Sequence, residues 1–239
     1  MMKVSSSPVR TSVERPRRGD SVRTVAASAS GTGAAPVRVD RRRARSRRAL
    51  IDAARRILAE GGSTDVSIQE ITETADVGFG TFYNHFDTKA ELFEAAVREV
   101  LEEYGAALDR ACAELTDSAE IYAVGLRMTA RLASTAPAVA QVLVQVGMSY
   151  AWTEEGLAAR ALRDIQRGID DGRFTIADAR LGLLSTAGCV LAFLQLALEQ
   201  PGELDETDAD TLAEMLLRML GMTARSATAV AHRPLPALD

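Results

Sequence analysis

The chain has few of the residues that build metal clusters or disulfide scaffolds. Its 239 residues include two cysteines, Cys112 and Cys189, and two histidines, His85 and His232. Two cysteines are typical of a protein from a reducing cytosol, and they supply no ligand set for a metal cluster. We therefore predict no metal site and no cofactor, and we expect both thiols to be buried.

Aromatic residues and strand patterns are also scarce. Only 5% of the residues are aromatic although 47% are hydrophobic, so the core must consist mainly of aliphatic side chains. No segment alternates apolar and polar residues over a useful length, which predicts an all-α fold. The first 35 residues are polar and rich in arginine, without the apolar run of a secretory signal, so we expect a cytoplasmic protein.

One segment lacks charge altogether. The 18 residues from Leu181 to Leu198 lie between Arg180 and Glu199 and approach the length of a membrane span. Polar and small residues such as Ser185, Thr186 and Gln195 dilute the segment, and no aromatic belt accompanies it. We therefore predict no membrane and interpret the segment as a helix buried on several sides, in a core or a subunit interface.

Charge is distributed unevenly along the chain. Residues 1–48 contain 13 of the 28 basic and 3 of the 33 acidic groups, a net charge of +10, which leaves −15 on the remainder. Such asymmetry favours a basic arm near a polyanion and an acidic, soluble body, although a solvated tail is an alternative. Because residues 1–40 show no apolar periodicity, we predict that they form a disordered basic tail.

Helical periodicity begins after Asp40. Leu50, Ala54, Ile57 and Leu58 form one apolar stripe on a first helix, which we expect to end at Gly61-Gly62. The predicted helices cover 42–60, 67–74, 79–85, a long fourth helix after Asp87 or Thr88, and then 118–134, 137–152, 154–170, 176–199 and 207–226. We expect a flexible C-terminal tail at 227–239.

The second and third helices have the dimensions of a helix-turn-helix. Ser67 and Glu70 predict a capping box, and Asp76-Val77-Gly78 predicts a tight turn because aspartate and glycine tolerate left-handed backbone angles. The expected apolar core consists of Ile68, Ile71, Ala75, Val77, Phe82 and Phe86. The polar residues exposed on the third helix are then Thr81, Tyr83, Asn84 and His85, which suit phosphates and base edges. At its start, Gly80 permits close approach to a duplex, and Phe79 suits either a thymine methyl group or an ordinary packing role.

The run from Val77 to Phe86, followed by Thr88-Lys89 and Glu91-Leu92-Phe93, resembles the TetR (tetracycline-repressor) family of transcriptional regulators over about residues 44–105. The resemblance implies a helix-turn-helix domain at 41–87 and a helical regulatory and dimerisation domain at 88–226. It also implies that Ser67, Thr81, Tyr83, His85 and Lys89 bind phosphates of double-stranded operator DNA, and that Phe79, Gly80 and Asn84 face bases. The chain departs from the family at Gly78 and Phe79, where many members have a small polar and then a basic residue.

The same resemblance implies a ligand-responsive repressor that binds a palindromic operator as a homodimer. Its last two long helices then form the dimer interface, for which the candidates are Gly182, Leu184, Ser185, Gly188, Leu191, Ala192, Leu216 and Leu220, with an intramolecular core as the alternative. Candidates for contacts to an unknown small-molecule effector are Tyr122, Gln141, Gln145, Met148, Trp152 and Phe193.

Two other classes of function compete with a repressor. A helical-bundle enzyme is disfavoured because neither histidine stands in a Glu-x-x-His arrangement and no nucleophile elbow or phosphate-binding glycine loop is present, so we predict no catalytic residues. An architectural DNA-binding protein without an inducer remains the other alternative, and a ligand screen distinguishes it from a repressor.

Overall fold

The computed structural model describes residues 35–60, 64–147 and 156–238, and these residues form eleven helices and no β-strand. The all-α prediction is confirmed. The helices are α1 (Ala35–Ala59), α2 (Ile68–Thr74), α3 (Phe79–Phe82), α4 (Lys89–Ala111), α5 (Ser118–Ala130), α6 (Leu132–Thr135), α7 (Pro137–Val146), α8 (Gly156–Asp170), α9 (Ala179–Glu199), α10 (Glu206–Met219) and α11 (Ala224–Ala231). Contacts divide the chain into two units, Met1–Val39 and Asp40–Asp239.

Helix α1 begins earlier than its apolar stripe suggests. The stripe predicts a start near residue 42, after a tail that ends at residue 40, whereas the helix starts at Ala35, inside the predicted tail. Pro36 lies in the first turn, where a helix does not need the amide hydrogen that proline lacks. The predicted stripe of Leu50, Ala54, Ile57 and Leu58 is buried. Gly61 and Gly62 lie outside the described residues.

The turn between α2 and α3 has the predicted left-handed residue. Asp76 has a φ of 53° and is the one non-glycine residue with positive φ in the described part of the chain. The amide of Asp76 donates to the carbonyl of Glu73, and the amide of Val77 donates to that of Thr72. These two bonds form a Schellman motif, which satisfies carbonyls at the end of α2 and fixes the direction of the chain into α3.

Two predicted helices are interrupted in the structure. The helix predicted at 118–134 ends at Ala130, and the one predicted at 207–226 ends at Met219. The second break occurs at Gly221, whose φ is 100°, and a Cβ atom there would clash with Oγ1 of Thr175. Only glycine fits this turn, because the positive φ is unfavourable for any other residue and the position has no space for a side chain.

The C-terminal part is more ordered than the sequence suggests. Where we expect a flexible tail from residue 227, α11 continues to Ala231 and buries Ala227, Val230 and Ala231. Beyond the helix, Nη1 of Arg233 lies 3.1 Å from Oδ2 of Asp117. The tail prediction is wrong at these residues because the small apolar side chains of α11 are buried against the rest of the protein, which composition does not reveal.

Helix α9 carries the uncharged segment. It is the one helix of the described residues that is long and apolar enough to cross a membrane, but only 28% of its apolar window is buried within the chain. The helix is therefore not buried on several sides by its own chain. Its inner face packs against the protein at Leu183, Val190 and Leu194, while Leu181 and Leu184 are exposed.

Candidate functional site

The residues around α3 expose a mixed aromatic and polar surface. The apolar core of the motif lies beneath it, with Ile71 and Phe82 fully buried and Phe86 nearly so. On the outer side, Phe79 and Tyr83 are each 54% exposed, and Asn84 and Gly80 are also exposed. The regular helix ends at Phe82 rather than at the predicted residue 85, since Tyr83, Asn84 and His85 form a turn. A Cβ atom on Gly80 would meet nothing within 4 Å, so packing within the protein does not require glycine at this position.

Helix α1 supports the end of this surface. Nη2 of Arg43 donates to the backbone carbonyl of Asn84 at 3.3 Å, and the Ser46 hydroxyl lies 2.7 Å from Nε2 of His85. The guanidinium of Arg47 stacks over the ring of Phe86 at 5.3 Å. Partial burial, together with the charges of Arg43 and Arg47, lowers the pKa of His85. The imidazole is therefore neutral at physiological pH, and its position depends on α1.

Two further DNA-binding candidates have structural partners. Ser67 is the N-cap of α2, and its Oγ accepts the amide hydrogen of Glu70 at 3.1 Å, which is the first half of the predicted capping box. Nζ of Lys89 donates to the carbonyl of Val66 at 2.7 Å and so joins α4 to the start of the motif. Each group retains donors, since a serine hydroxyl can still donate one hydrogen and a lysine ammonium two more.

A cavity of about 730 Å³ lies between α4, α5, α7, α8 and α9. Its walls are mainly aliphatic, and they include Leu101, Ile121, Leu126, Leu143, Leu157, Leu183, Val190 and Leu191. This volume and an apolar lining with few polar groups are typical of sites for small organic molecules.

The polar groups that line the cavity include two sets. The first is a buried pair in which the Tyr122 hydroxyl lies 2.6 Å from Oγ1 of Thr186, and Thr186 in turn donates to the carbonyl of Gly182. The second lies on α8, where Arg160 and Asp164 are one turn apart and both line the cavity. Burial raises the pKa of Asp164, which Arg163 only partly offsets. The carboxylate is thus a poorly solvated hydrogen-bond acceptor at the wall of an apolar space.

Helix α4 connects the cavity with α1 through ion pairs on neighbouring residues. Glu102 accepts two hydrogen bonds from Arg160 of α8, at 2.8 and 2.6 Å. Glu103 accepts two from Arg55 of α1, at 2.8 and 2.5 Å. Each pair lowers the pKa of its glutamate, so both carboxylates are charged at physiological pH.

Comparison with known proteins matches both halves of this architecture. Residues 50–96 match the family described as bacterial regulatory proteins, tetR family, and residues 117–233 match the Tetracyclin repressor-like C-terminal domain. The structure of RolR in complex with the ligand resorcinol is 34% identical, with a TM-score of 0.62, over 84% of this chain and 100% of that one. RolR without ligand is 36% identical, with a TM-score of 0.65, over 80% and 99%.

The chain belongs to the TetR family. FadR from Bacillus subtilis, in complex with stearoyl-CoA, shares the fold at 18% identity and a TM-score of 0.56, over 71% of this chain and 96% of that one. No curated protein matches the chain. As a TetR-family member, the protein is a DNA-binding transcriptional regulator, and α2 and α3 form its helix-turn-helix.

The structure places only one of the predicted effector contacts at the cavity of this TetR-family protein. Tyr122 lines it, whereas Gln141, Gln145 and Phe193 are not among its lining residues. Met148 and Trp152 lie outside the described residues. Sequence reasoning missed the α8 groups Arg160 and Asp164. The available signal was a polar pair at i and i+4 on a helix that otherwise presents apolar residues inward.

The predicted dimer residues divide into two groups. Gly182, Leu216 and Leu220 are buried within the protomer, where a Cβ atom on Gly182 would approach Leu220 to 3.0 Å, so the intramolecular alternative holds for them. Leu184, Ser185 and Ala192 are exposed on α9, and Gly188 and Leu191 are half-buried. Cys189 lies exposed on this helix and Cys112 is only partly buried, so the expectation of two buried thiols is wrong.

Exposed apolar side chains identify the outer faces of α9 and α10. In the described residues, seven large hydrophobic side chains are exposed: Phe79, Tyr83, Leu181, Leu184, Met215, Met219 and Leu238. Four of the seven lie on α9 and α10, and we call the exposed residues Leu181, Leu184, Met215 and Met219 together the α9–α10 face. A further two, Phe79 and Tyr83, lie at α3. Exposed large apolar side chains of this kind are typical of surfaces that a partner covers.

Proposed function

We propose that this TetR-family regulator is a cytoplasmic repressor that binds a palindromic operator as a homodimer and releases it when a small hydroxylated aromatic compound fills the cavity. The observation that carries the proposal is the combination of an exposed recognition surface at residues 79–85 with a separate apolar cavity behind α4. A regulator needs both, because DNA and effector must bind different sites for one to control the other.

The dimeric state is supported by the α9–α10 face. Helix α9 exposes Leu181 and Leu184 and carries no charge between Arg180 and Glu199. Helix α10 exposes Met215 and Met219. A second copy of the same face is the simplest partner, since a two-fold interface pairs a patch with itself. Two recognition helices related by this symmetry match the two half-sites of a palindrome.

The effector class is supported by the cavity chemistry together with the RolR likeness. RolR binds resorcinol, a benzene ring with two hydroxyl groups. In this chain, aliphatic walls suit the faces of an aromatic ring, and the half-buried carboxylate of Asp164 is a strong acceptor for a phenolic hydroxyl. Hydrogen bonds to an ionised acceptor are about twice as strong as neutral ones.

The experiment has two stages. Selection from a random double-stranded DNA pool with the full chain should yield a palindromic motif, and fluorescence anisotropy should then show that resorcinol releases the protein from that DNA. Asp164→Asn should weaken resorcinol binding about tenfold or more, because it replaces a charged acceptor with a neutral amide, and should leave operator affinity without effector unchanged. The matched control is Asp171→Asn, an exposed carboxylate on the turn after α8 that does not line the cavity.

The two rival functions give different results. An architectural DNA-binding protein binds DNA with no response to resorcinol or related compounds in a thermal-shift screen. We regard the protein as a regulator and not an enzyme. Conversion of a bound compound to product by the purified chain, followed by mass spectrometry, would contradict that part of the proposal.

A further inference from the structure

The recognition surface contains an exposed aromatic pair that the fold itself does not need. Phe79 and Tyr83 are each 54% exposed, and their rings meet edge to face with centroids 5.9 Å apart. Tyr83 also packs edge to face against the buried Phe82, at 5.3 Å. The Tyr83 ring therefore stands between the apolar core and Phe79 and limits the positions that the Phe79 ring can adopt.

The surroundings of the pair indicate what covers it. Phe79 is the first residue of α3, beside the exposed Gly80 and five residues before Asn84. If this surface faces the major groove, as the proposed function requires, the one apolar group that the four ordinary base pairs present there is the 5-methyl group of thymine.

We propose that Phe79, held by Tyr83, reads the methyl group of one thymine in each operator half-site. This inference rests on the proposed function and adds to it the base that the operator must contain. Because Gly80 has no side chain, nothing at this position separates the backbone from the duplex. The phenyl ring of Phe79 can therefore reach the floor of the groove. Tyr83 is the positioning residue: its ring fixes Phe79, and its hydroxyl remains available for a phosphate.

The test removes the methyl group from the DNA and the phenyl group from the protein separately. Each thymine of the selected operator is replaced in turn by deoxyuridine, which keeps every hydrogen bond and loses only the methyl group. For the wild-type chain, uracil at the recognised position of a single half-site should raise Kd about fourfold, as expected for the loss of one buried methyl group. Uracil at this position in both half-sites should raise Kd about fifteenfold. In Phe79→Ala, the same substitutions should have no effect.

Two further variants keep the test decisive. Phe79→Leu retains an apolar side chain and should retain part of the uracil effect, whereas Tyr83→Phe retains the supporting ring and should retain all of it. Because Phe79 is exposed, the variants should show wild-type circular dichroism and thermal unfolding.

The outcomes separate this inference from the proposed function. If the wild-type chain selects an operator but no uracil substitution weakens binding, or if the uracil effect is equally large in Phe79→Ala, the methyl-reading role is wrong and the repressor proposal stands. If the chain selects no DNA sequence at all, the proposed function fails, and the methyl-reading role fails with it.

Discussion

The side chain and the backbone of Asn84 have separate roles in the structure. Its backbone carbonyl accepts a hydrogen bond from Arg43 of α1, while the residue as a whole is exposed. The fold thus holds the main chain at this position and leaves the amide side chain to the surface. A side-chain amide is able to donate to and accept from the edge of an adenine at once, which suits it to base recognition.

Substitution at Asn84 and Tyr83 should separate base contacts from phosphate contacts. Asn84→Ala should flatten one column of the selected DNA motif, symmetrically in both half-sites, and cost about 1 to 3 kcal/mol in binding free energy. Tyr83→Phe loses only a hydroxyl, and should weaken binding to all sequences alike without changing the motif. Repeating the selection with each variant measures both effects.

The roles would need to be exchanged if Tyr83→Phe altered a motif column or if Asn84→Ala altered none. Neither residue belongs to the buried core around Ile71 and Phe82, so both variants should unfold at the wild-type temperature. A lower unfolding temperature would point to a contribution to the fold instead.

At the scale of single elements, helix α10 shows what periodicity can and cannot predict. Leu212, Met215, Leu216, Met219 and Leu220 recur with helical spacing, and the helix begins where the pattern predicts it but ends at Met219, before the predicted residue 226. The structure then divides the stripe: Leu216 and Leu220 point into the protomer, whereas Met215 and Met219 are 61% and 41% exposed. A protomer core and a subunit interface are both apolar, so a single sequence pattern cannot distinguish them.

The helix-turn-helix was predictable because its signals are local: Ser67 caps α2, Asp76 adopts the left-handed turn, and Ile71 and Phe82 form the core. The cavity was not predictable in this way. Its walls are aliphatic side chains from five helices, and each of them, taken alone, looks like an ordinary core residue.

A charge placed on the α9–α10 face should dissociate the dimer. Met215→Glu buries two carboxylates at a two-fold interface, one from each copy, and should weaken dimerisation by about 3 kcal/mol or more. Light scattering at micromolar concentration should show a dimer for the wild type and a monomer for the variant. The control is Ala229→Glu, on the exposed side of α11, which should remain dimeric.

The two cysteines provide an independent measurement of the same prediction. Cys189 is exposed on α9 in the protomer and should be alkylated slowly in the dimer and rapidly in Met215→Glu. Cys112 should react slowly in both proteins, because burial raises the pKa of its thiol to about 11 and little thiolate is present at neutral pH. Rapid alkylation of Cys189 in a wild-type dimer would place the interface elsewhere.

At the scale of the whole molecule, α4 is the element that touches both functional regions. Glu102 and Glu103 are neighbours in sequence but pair with opposite sides, Glu102 with Arg160 at the cavity and Glu103 with Arg55 of α1. An effector that changes the position of Arg160 therefore acts on the same turn of α4 that holds the DNA-binding domain. Ion pairs in two alternative arrangements are one physical means by which two distant sites bias a common equilibrium.

Loss of the Glu103 pair should reduce the coupling between effector and operator without abolishing either interaction. Glu103→Gln leaves the cavity intact and lies away from the recognition surface, so the affinity for resorcinol alone should be unchanged. The factor by which resorcinol weakens operator binding should fall about two- to fivefold, as expected for a residue that carries part of a coupling free energy. Asp171→Asn, which removes an exposed ion pair between Arg167 and Asp171, is the control and should leave this factor unchanged.

Because coupling is reciprocal, the prediction can be checked in both directions. Calorimetry of resorcinol binding to the free protein and to the operator complex should give the same factor as anisotropy of DNA binding with and without resorcinol, in the wild type and in Glu103→Gln alike. A ligand shifts a conformational equilibrium only by its differential affinity for the two states, so a smaller factor for one partner requires a smaller factor for the other. If the two factors are equal but Glu103→Gln leaves them at the wild-type value, the coupling runs through contacts other than the Arg55 pair. If the two factors are unequal at equilibrium, a two-state mechanism is excluded.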